Sequence, residues 1–167
     1  MDTFRIYIQI SFSKKIPENT RMKWVLFVLL CVLILTHEEH KLLRELKVRY
    51  KKILEVLRAT NDPLWYPVLR PSILTGMVDW SKKNGPIGSN VNKGYEIYIC
   101  LAGDDVNSAT YVLMHELAHM TVPEYGHTDD FWNNLKKLKD VCIEAGLYIP
   151  EKTHQYCGDT LTDSSRQ

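Results

Sequence analysis

The chain has 167 residues, of which 45% are hydrophobic, and this is enough for one domain with a proper core. Its net charge of +1 conceals an asymmetry, because residues 1–83 contain fifteen Lys and Arg against eight Asp and Glu, whereas residues 90–150 contain four against nine. The acidic part is a poor electrostatic match for bare nucleic acid and a better one for basic peptides, although ordinary solvated faces explain it equally well. The sequence offers no direct evidence of nucleic-acid binding.

An uncharged apolar run over residues 24–35 follows an extension over residues 1–21. Its length suits a signal-peptide core and is shorter than the roughly twenty residues that a spanning helix prefers. The residues after it lack the small side chains of a cleavage site, so we predict an uncleaved membrane anchor over residues 22–37, with membrane contact through residues 24–36. A buried core helix is the alternative, and Met22 is a second candidate start of the chain.

Basic residues on the two sides of the apolar run bear on its orientation. Five precede the run and seven follow it within residues 41–58. By the positive-inside rule, the heavier charge on the C-terminal side slightly favours a cytosolic domain. We therefore expect a single-pass or signal-anchored membrane protein whose orientation and oligomeric state the sequence leaves open.

Residues 38–58 predict an amphipathic helix with one apolar stripe and one basic face. The basic face either is a solvent face of the packed domain, which we favour, or lies against anionic lipid. Three prolines then precede a predicted strand over residues 72–78. The stripe consists of Leu42, Leu46, Ile53 and Leu57, with Leu43, Tyr50 and Leu54 beside it.

A second strand is predicted between Tyr95 and Leu101, where apolar and polar residues alternate cleanly. It would lie either at a sheet edge, where an extended peptide could pair with it, or in the sheet interior. Turn-forming residues precede it at Gly85, Gly88, Asn90, Asn92 and Gly94.

Residues 115–119 read H-E-x-x-H, which on a helix places His115 and His119 one turn apart on the same face. Two neutral imidazoles so placed can bind Zn²⁺, and Glu116 between them can deprotonate a metal-bound water. The surrounding residues 106–122 are apolar almost all the way round, which predicts a buried helix. Burying these groups without partners would cost several kcal/mol in total, and a metal would remove that cost. The candidates for its N-cap are Asp104, Asp105, Asn107 and Ser108.

A third zinc ligand is predicted at His127, which lies in a turn after Pro123 and Gly126. The alternative third ligands are Asp129 or Asp130 at the start of the next predicted helix, and Glu144 near the end of that helix. We prefer His127, because an imidazole suits zinc and a turn lets it reach back over the first helix. The metzincin pattern is excluded, because it requires a glycine at position 122, which is Val, and a later Met-turn.

The last predicted element is a helix over residues 129–145, with Thr128 or Asp129 as its N-cap and Gly146 as its C-cap. The order helix, strands, helix, helix gives a small α+β fold of the zincin kind. We predict a peptidase domain over residues 38–150 and a C-terminal tail over residues 151–167. The side chains expected to face inward are Phe131, Leu135, Leu138, Val141 and Cys142.

The four cysteines, Cys31, Cys100, Cys142 and Cys157, form no C-x-x-C pair, so we expect buried thiols. His154 and Cys157 have a ligand-like H-x-x-C spacing, which is a weaker indication of a metal site.

The segment 115–132 reads HELAHMTVPEYGHTDDFW and resembles the signature of the WLM metallopeptidases, relatives of the SprT and Spartan proteases. Residues 90–101 and 155–158 resemble WLM proteins of large algal DNA viruses in particular, and the resemblance spans roughly residues 38–160. It implies a viral zinc peptidase with His115, His119 and His127 as ligands and Glu116 as general base. Cellular members of the family act on proteins crosslinked to DNA and carry tails that bind ubiquitin-like modifiers or a segregase. The seventeen residues after Pro150 contain no recognisable docking motif of this kind.

The predicted reaction is hydrolysis of a peptide bond in a protein or peptide substrate. Glu116 would take a proton from a zinc-bound water and pass it to the leaving amine. Two alternatives remain, a non-catalytic binding module stabilised by zinc, and a zinc hydrolase acting on non-peptide amide bonds. The candidates for the oxyanion donor are Tyr95, Tyr125, Tyr148 and Tyr156.

Overall fold

A computed structural model describes residues 22–30, 39–77, 86–103 and 105–162, and the chain divides into two units, residues 1–38 and 39–167. In the first unit, residues 22–30 are helical and expose their apolar side chains. Within the described ranges, no helix has the length and apolar character to cross a membrane. The extension over residues 1–21 and residues 31–37 of the predicted anchor lie outside those ranges, so the anchor stays a prediction.

The second unit mixes helices with two small sheets, which confirms the α+β class. Short 3₁₀ turns at Pro63–Trp65 and His119–Thr121 join some of its elements. In chain order the helices and strands are α1 (Lys41–Thr60), β1 (Ile73–Met77), β2 (Gly88–Val91), β3 (Glu96–Cys100), α2 (Val106–Ala118), α3 (Asp129–Glu144), β4 (Thr153–Tyr156) and β5 (Asp159–Thr162).

The three-stranded sheet has the order β1-β3-β2, with β1 parallel and β2 antiparallel to β3. The predicted strand β3 is therefore interior, and β2 forms one edge. Gly88 and Asn90, which the sequence analysis assigned to turns, lie in β2, so that part of the prediction is wrong. A strand of Gly-Ser-Asn-Val has no apolar alternation, and it forms because β3 offers it a partner. The turn itself spans residues 92–95, with positive φ at Asn92, Lys93 and Gly94.

Helix α1 packs its predicted apolar stripe into the core, and Leu46 and Ile53 are completely buried. The helix ends at Asn61, whose left-handed conformation stops the chain from continuing as a helix. The spacing of its apolar residues thus predicted both the helix and its buried face.

Helix α2 is buried around almost its whole circumference, as its composition predicts. Asp105 caps its start by accepting hydrogen bonds from the backbone N–H groups of Asn107 and Ser108, at 3.0 and 2.7 Å. Asp104, another predicted cap, lies outside the described residues. The α-helix ends at Ala118, so His119 begins the 3₁₀ turn that follows.

Helix α3 begins at the predicted cap Thr128, whose hydroxyl accepts a hydrogen bond from the backbone N–H of Phe131. The helix buries Phe131 and Leu138 completely against the core. Asn134 donates a hydrogen bond of 3.0 Å to the hydroxyl of Thr121, which links α3 to the turn after α2. These contacts bring the start of α3 close to the H-E-x-x-H segment.

Residues 153–162, where the sequence predicted no element, form an antiparallel hairpin of β4 and β5. A disulfide joins Cys157 at its turn to Cys100 at the end of β3. The prediction of a free thiol at Cys100 is therefore wrong, because a pairing across 57 residues leaves no trace in local spacing. Cys142 is a buried free thiol as predicted, and burial raises its pKa to about 12. Cys31 lies outside the described residues.

Candidate metal centre

Three histidines from three successive segments converge at one point. His115 lies on α2, His119 begins the 3₁₀ turn after it, and His127 lies in the loop before α3. Their candidate ligand atoms lie within 4.8 Å of one another, and the Nε2 atoms of His115 and His127 are 3.0 Å apart. Across the described ranges, Asp129, Asp130 and Glu144 do not belong to this or any other such cluster. The structure therefore brings together the three residues that the sequence analysis preferred.

The chemistry of these side chains suits a metal ion. Burial disfavours the charged imidazolium and, with repulsion from the neighbouring histidines, lowers the pKa of His115 to about 3. Burial also lowers the pKa of His119 to about 4, and electrostatic repulsion from His127 and Lys93 contributes to this shift. Both rings are thus neutral near pH 7, with lone pairs free for a metal. Nitrogen ligands of tetrahedral zinc lie roughly 3.3 Å apart, and the Nε2 atoms of His115 and His127 are already close to that spacing, so the three histidines could hold a metal ion.

Aromatic residues at the start of α3 support the imidazoles. The ring of Phe131 packs on all three histidines, with centroid distances of 4.9 Å to His115, 4.4 Å to His119 and 4.6 Å to His127. Trp132 lies 5.4 Å from the His127 ring. From the sequence, Phe131 is predicted only as a core residue of the helix. Helical spacing cannot show that a core side chain also packs on candidate metal ligands.

The carboxylate of Glu116 is buried beside the histidines, with only 7% of the residue exposed. The edge strand β2 passes so close that a Cβ added at Gly88 would lie 2.7 Å from Oε1 of Glu116. Burial raises the pKa of Glu116 to about 7, because the charged carboxylate loses solvation. A carboxylate in this setting is poised to accept a proton.

Two side chains from the end of β2 and the following turn hold the segments that carry the histidines. Asn90 donates a hydrogen bond of 2.7 Å to the backbone carbonyl of Glu116 and accepts one from the N–H of Gly94. The ammonium of Lys93 donates to three backbone carbonyls, those of His119, Val122 and Glu124, at 3.5, 3.1 and 2.8 Å. Neither role can be predicted from the sequence, because the contacts with the segments that carry the histidines join residues at least 26 positions apart.

A cavity of about 280 Å³ opens over the histidines, and Glu116, Lys93 and Tyr125 contribute to its walls. Of the four tyrosines that the sequence offers as oxyanion donors, Tyr125 is therefore the one that lines this cavity, which we call the candidate metal-binding cavity. Tyr148 and Tyr156 are core residues that are each 2% exposed, and the Tyr156 hydroxyl donates to the carbonyl of Cys100. Tyr95 is exposed and does not line this cavity.

The H-x-x-C pair of His154 and Cys157 cannot bind a metal in the way that its spacing predicts. Cys157 forms the disulfide with Cys100, so its sulfur cannot also act as a thiolate ligand. The side chain of His154 lies outside the described residues. The disulfide therefore excludes a closed four-ligand zinc site that includes the Cys157 thiolate.

Comparison with known proteins places this site in a family context. A family model described as the WLM domain matches residues 70–167, which is more than half of the chain and includes every residue of the histidine cluster. No solved structure matches the chain.

Similar curated proteins occur in viruses. An uncharacterized protein of Invertebrate iridescent virus 6 is 34% identical over 91 residues, which cover 48% of this chain and 51% of that protein. An uncharacterized protein of Acanthamoeba polyphaga mimivirus is 33% identical over 90 residues, or 46% of each chain. One of Invertebrate iridescent virus 3 is 40% identical over 55 residues, 32% of this chain and 35% of that protein. The chain thus matches about half the length of these relatives or less.

Proposed function

The chain belongs to the WLM domain family, as its sequence signature predicted, and we propose that it is a zinc-dependent metallopeptidase that hydrolyses peptide bonds. The observation that carries this proposal is the buried carboxylate of Glu116, which lines the same cavity as the three imidazoles. A purely structural zinc site has no use for a general base. The viral relatives support the predicted viral origin.

The proposed mechanism assigns a separate task to each residue. His115, His119 and His127 would hold the zinc ion, which supplies a water of lowered pKa and polarises the peptide carbonyl. Glu116 accepts a proton on its carboxylate and returns it to the nitrogen of the leaving amine. Tyr125, on the cavity wall, is our candidate for the donor that stabilises the developing oxyanion.

The two alternatives predict different behaviour. A zinc-stabilised binding module needs a closed four-ligand site and is indifferent to Glu116, whereas His127 is exposed here and the cavity is open to solvent. A hydrolase of non-peptide amide bonds would share the same zinc site and general base. Assaying the zinc-loaded protein on small amides as well as on peptides distinguishes this hydrolase from a peptidase.

Membrane attachment through residues 24–36 is a further part of the proposal. It is supported by the uncharged run Trp24–Leu35 and by the exposed apolar side chains of residues 22–30. The expected result is that the full chain stays with vesicles after carbonate washing. A variant with aspartates at Leu26 and Leu29 should be released by the same wash, and equal retention of both proteins would contradict the anchor.

The test of the peptidase measures zinc content and peptide hydrolysis in the full chain and in two variants. We expect one zinc per chain in the wild type, much weaker zinc binding in His127→Ala, and retained zinc with hydrolysis reduced at least about a hundredfold in Glu116→Gln. Matched controls are His40→Ala and Glu144→Gln, which change exposed residues of the same types.

Three outcomes would contradict the proposal. Wild-type hydrolysis by Glu116→Gln would exclude the general-base role, and full zinc binding by His127→Ala would move the third ligand elsewhere. Zinc binding with cleavage of small amides but of no peptide would favour the non-peptide hydrolase.

A further inference from the structure

A second cavity, of about 390 Å³, adjoins the candidate metal-binding cavity, and the two share Gly88, His115 and Glu116 as wall residues. We call this second cavity the side pocket. The proposed general base, Glu116, lies in the wall of both cavities. A peptide that binds with a carbonyl at the histidine cluster would therefore place a neighbouring side chain at the side pocket.

The walls of the side pocket are largely apolar. Ile87 precedes the edge strand, Val112 lies on α2, and Leu161 lies on the C-terminal hairpin. Trp132 adds an aromatic face to the wall. The polar residues of the wall include Asp159 and Thr160, which are exposed.

The hairpin wall is fixed in place before any ligand binds. The Cys100–Cys157 disulfide ties the hairpin turn to the end of β3, and the hydroxyl of Tyr156 donates to the carbonyl of Cys100. At the other end of the hairpin, the hydroxyl of Tyr111 donates a hydrogen bond of 3.0 Å to the carbonyl of Thr162. A preformed apolar pocket binds a side chain without the entropic cost of ordering its own walls.

We propose that the side pocket binds a large apolar side chain of the substrate, such as leucine, methionine or phenylalanine, next to the bond that is cleaved. The proposal rests on the proposed peptidase function and adds a substrate class to it. Burial against Ile87, Val112 and Leu161 selects for apolar area, and the volume of the pocket admits a large side chain.

The experiment uses the full chain with zinc and a peptide library in which one position at a time is fixed. We expect the wild type to favour a large apolar residue over alanine at one position beside the cleaved bond, by roughly tenfold or more in kcat/KM. Leu161→Asp should remove most of this preference, so that kcat/KM for the apolar peptide falls toward the value for the alanine peptide. Ile149→Asp is the matched control, because Ile149 is exposed and does not line the side pocket.

A second variant guards against misfolding of Leu161→Asp. Thr160 is exposed, so Thr160→Trp should fold and narrow the side pocket from its opening. We expect it to reduce cleavage of the phenylalanine peptides more than cleavage of the alanine peptides. An unchanged preference in both variants would overturn the proposal.

Peptide binding to the zinc-loaded Glu116→Gln protein separates this proposal from the proposed function. We expect fluorescein-labelled leucine peptides to bind more tightly than alanine peptides, and the difference to disappear when Leu161→Asp is added. This result without any hydrolysis by the wild type would support the side pocket and refute the peptidase. Equal binding of the two peptides would overturn the side pocket whether or not the wild type is a peptidase.

Discussion

The position of the Glu116 carboxylate depends on the absence of a side chain at Gly88. A Cβ at that position would lie 2.6 Å from Cγ1 of Val112 and 2.7 Å from Oε1 of Glu116, which is closer than real Cβ atoms approach. The backbone of the edge strand at Gly88 thus packs directly against the carboxylate of the proposed general base and limits where that carboxylate can lie. A shift of about 1 Å in a reacting group can reduce a rate on the order of a hundredfold.

Gly88→Ala should therefore push the carboxylate of Glu116 out of place and leave the histidines where they are. We expect peptide hydrolysis to fall about tenfold or more, with zinc stoichiometry unchanged. Gly126→Ala is the control, because a Cβ at Gly126 would meet no atom within 4 Å. Wild-type turnover by the Gly88 variant would show that this contact does not position Glu116.

The ammonium of Lys93 holds the loop that leads to His127. It donates to the carbonyls of Val122 and Glu124 and lies 4.4 Å from the centre of the Tyr125 ring. The loop has an exposed surface, so these contacts restrict its conformations. Residues that support metal ligands in this way typically change metal affinity by about ten- to a hundredfold when they are replaced.

We expect Lys93→Met to weaken zinc binding by about tenfold, measured by competition with a chromogenic chelator. Methionine replaces most of the aliphatic part of lysine and meets the positive φ at residue 93 at the same cost, so the change removes the donor without a new clash. Lys137→Met, on the exposed face of α3, should bind zinc as the wild type does. An equal affinity in both variants would contradict the role of Lys93.

Helix α2 is the element on which the site depends, because it carries His115 and Glu116 and is buried on almost every side. Its start is fixed by one side chain, since Asp105 accepts from two backbone N–H groups that would otherwise lack partners. The other end leads through a 3₁₀ turn that carries His119. A stable start to α2 therefore stabilises the element that holds the site.

Asp105→Ala should lower the free energy of unfolding by about 0.5–2 kcal/mol, because it removes this N-cap. Urea denaturation of the zinc-free protein measures the change. Asp140→Ala, at an exposed position within α3, should have a smaller effect. Equal stability of the two variants would show that the cap contributes little.

The disulfide connects parts of the molecule that are far apart in sequence, the central sheet and the C-terminal hairpin. It closes a long loop, and such a link stabilises a fold chiefly by restricting the unfolded chain. A disulfide persists most readily in an oxidising environment. This weighs against the cytosolic side that the charges around the apolar run slightly favour.

Cys157→Ser should lower the free energy of unfolding by roughly 2–4 kcal/mol in the zinc-free protein under oxidising conditions. Thermal denaturation with and without a phosphine reductant checks this. The reductant should lower the midpoint of the wild type and leave that of the variant unchanged. A wild-type midpoint that does not respond would show that Cys100 and Cys157 are not linked.

The sequence by itself determined the parts of this protein that depend on short spacing. The H-E-x-x-H spacing marked two histidines and the glutamate as candidate site residues, and the turn after Pro123 marked His127. Apolar periodicity predicted helices α1 and α3, and a nearly all-apolar surface predicted α2. Local patterns suffice for these features because a helix repeats every 3.6 residues and a cap acts within three.

Only the tertiary structure decided how the site is enclosed. The close approach of Gly88 to Glu116, the bonds from Asn90 and Lys93 to the histidine segments, and the disulfide between Cys100 and the C-terminal hairpin all join residues far apart in the chain. None of them has a local signal, because a polar edge strand and a lone cysteine look like loop residues until a partner is folded against them. Such contacts form when burial brings distant segments together, and that is a property of the whole fold.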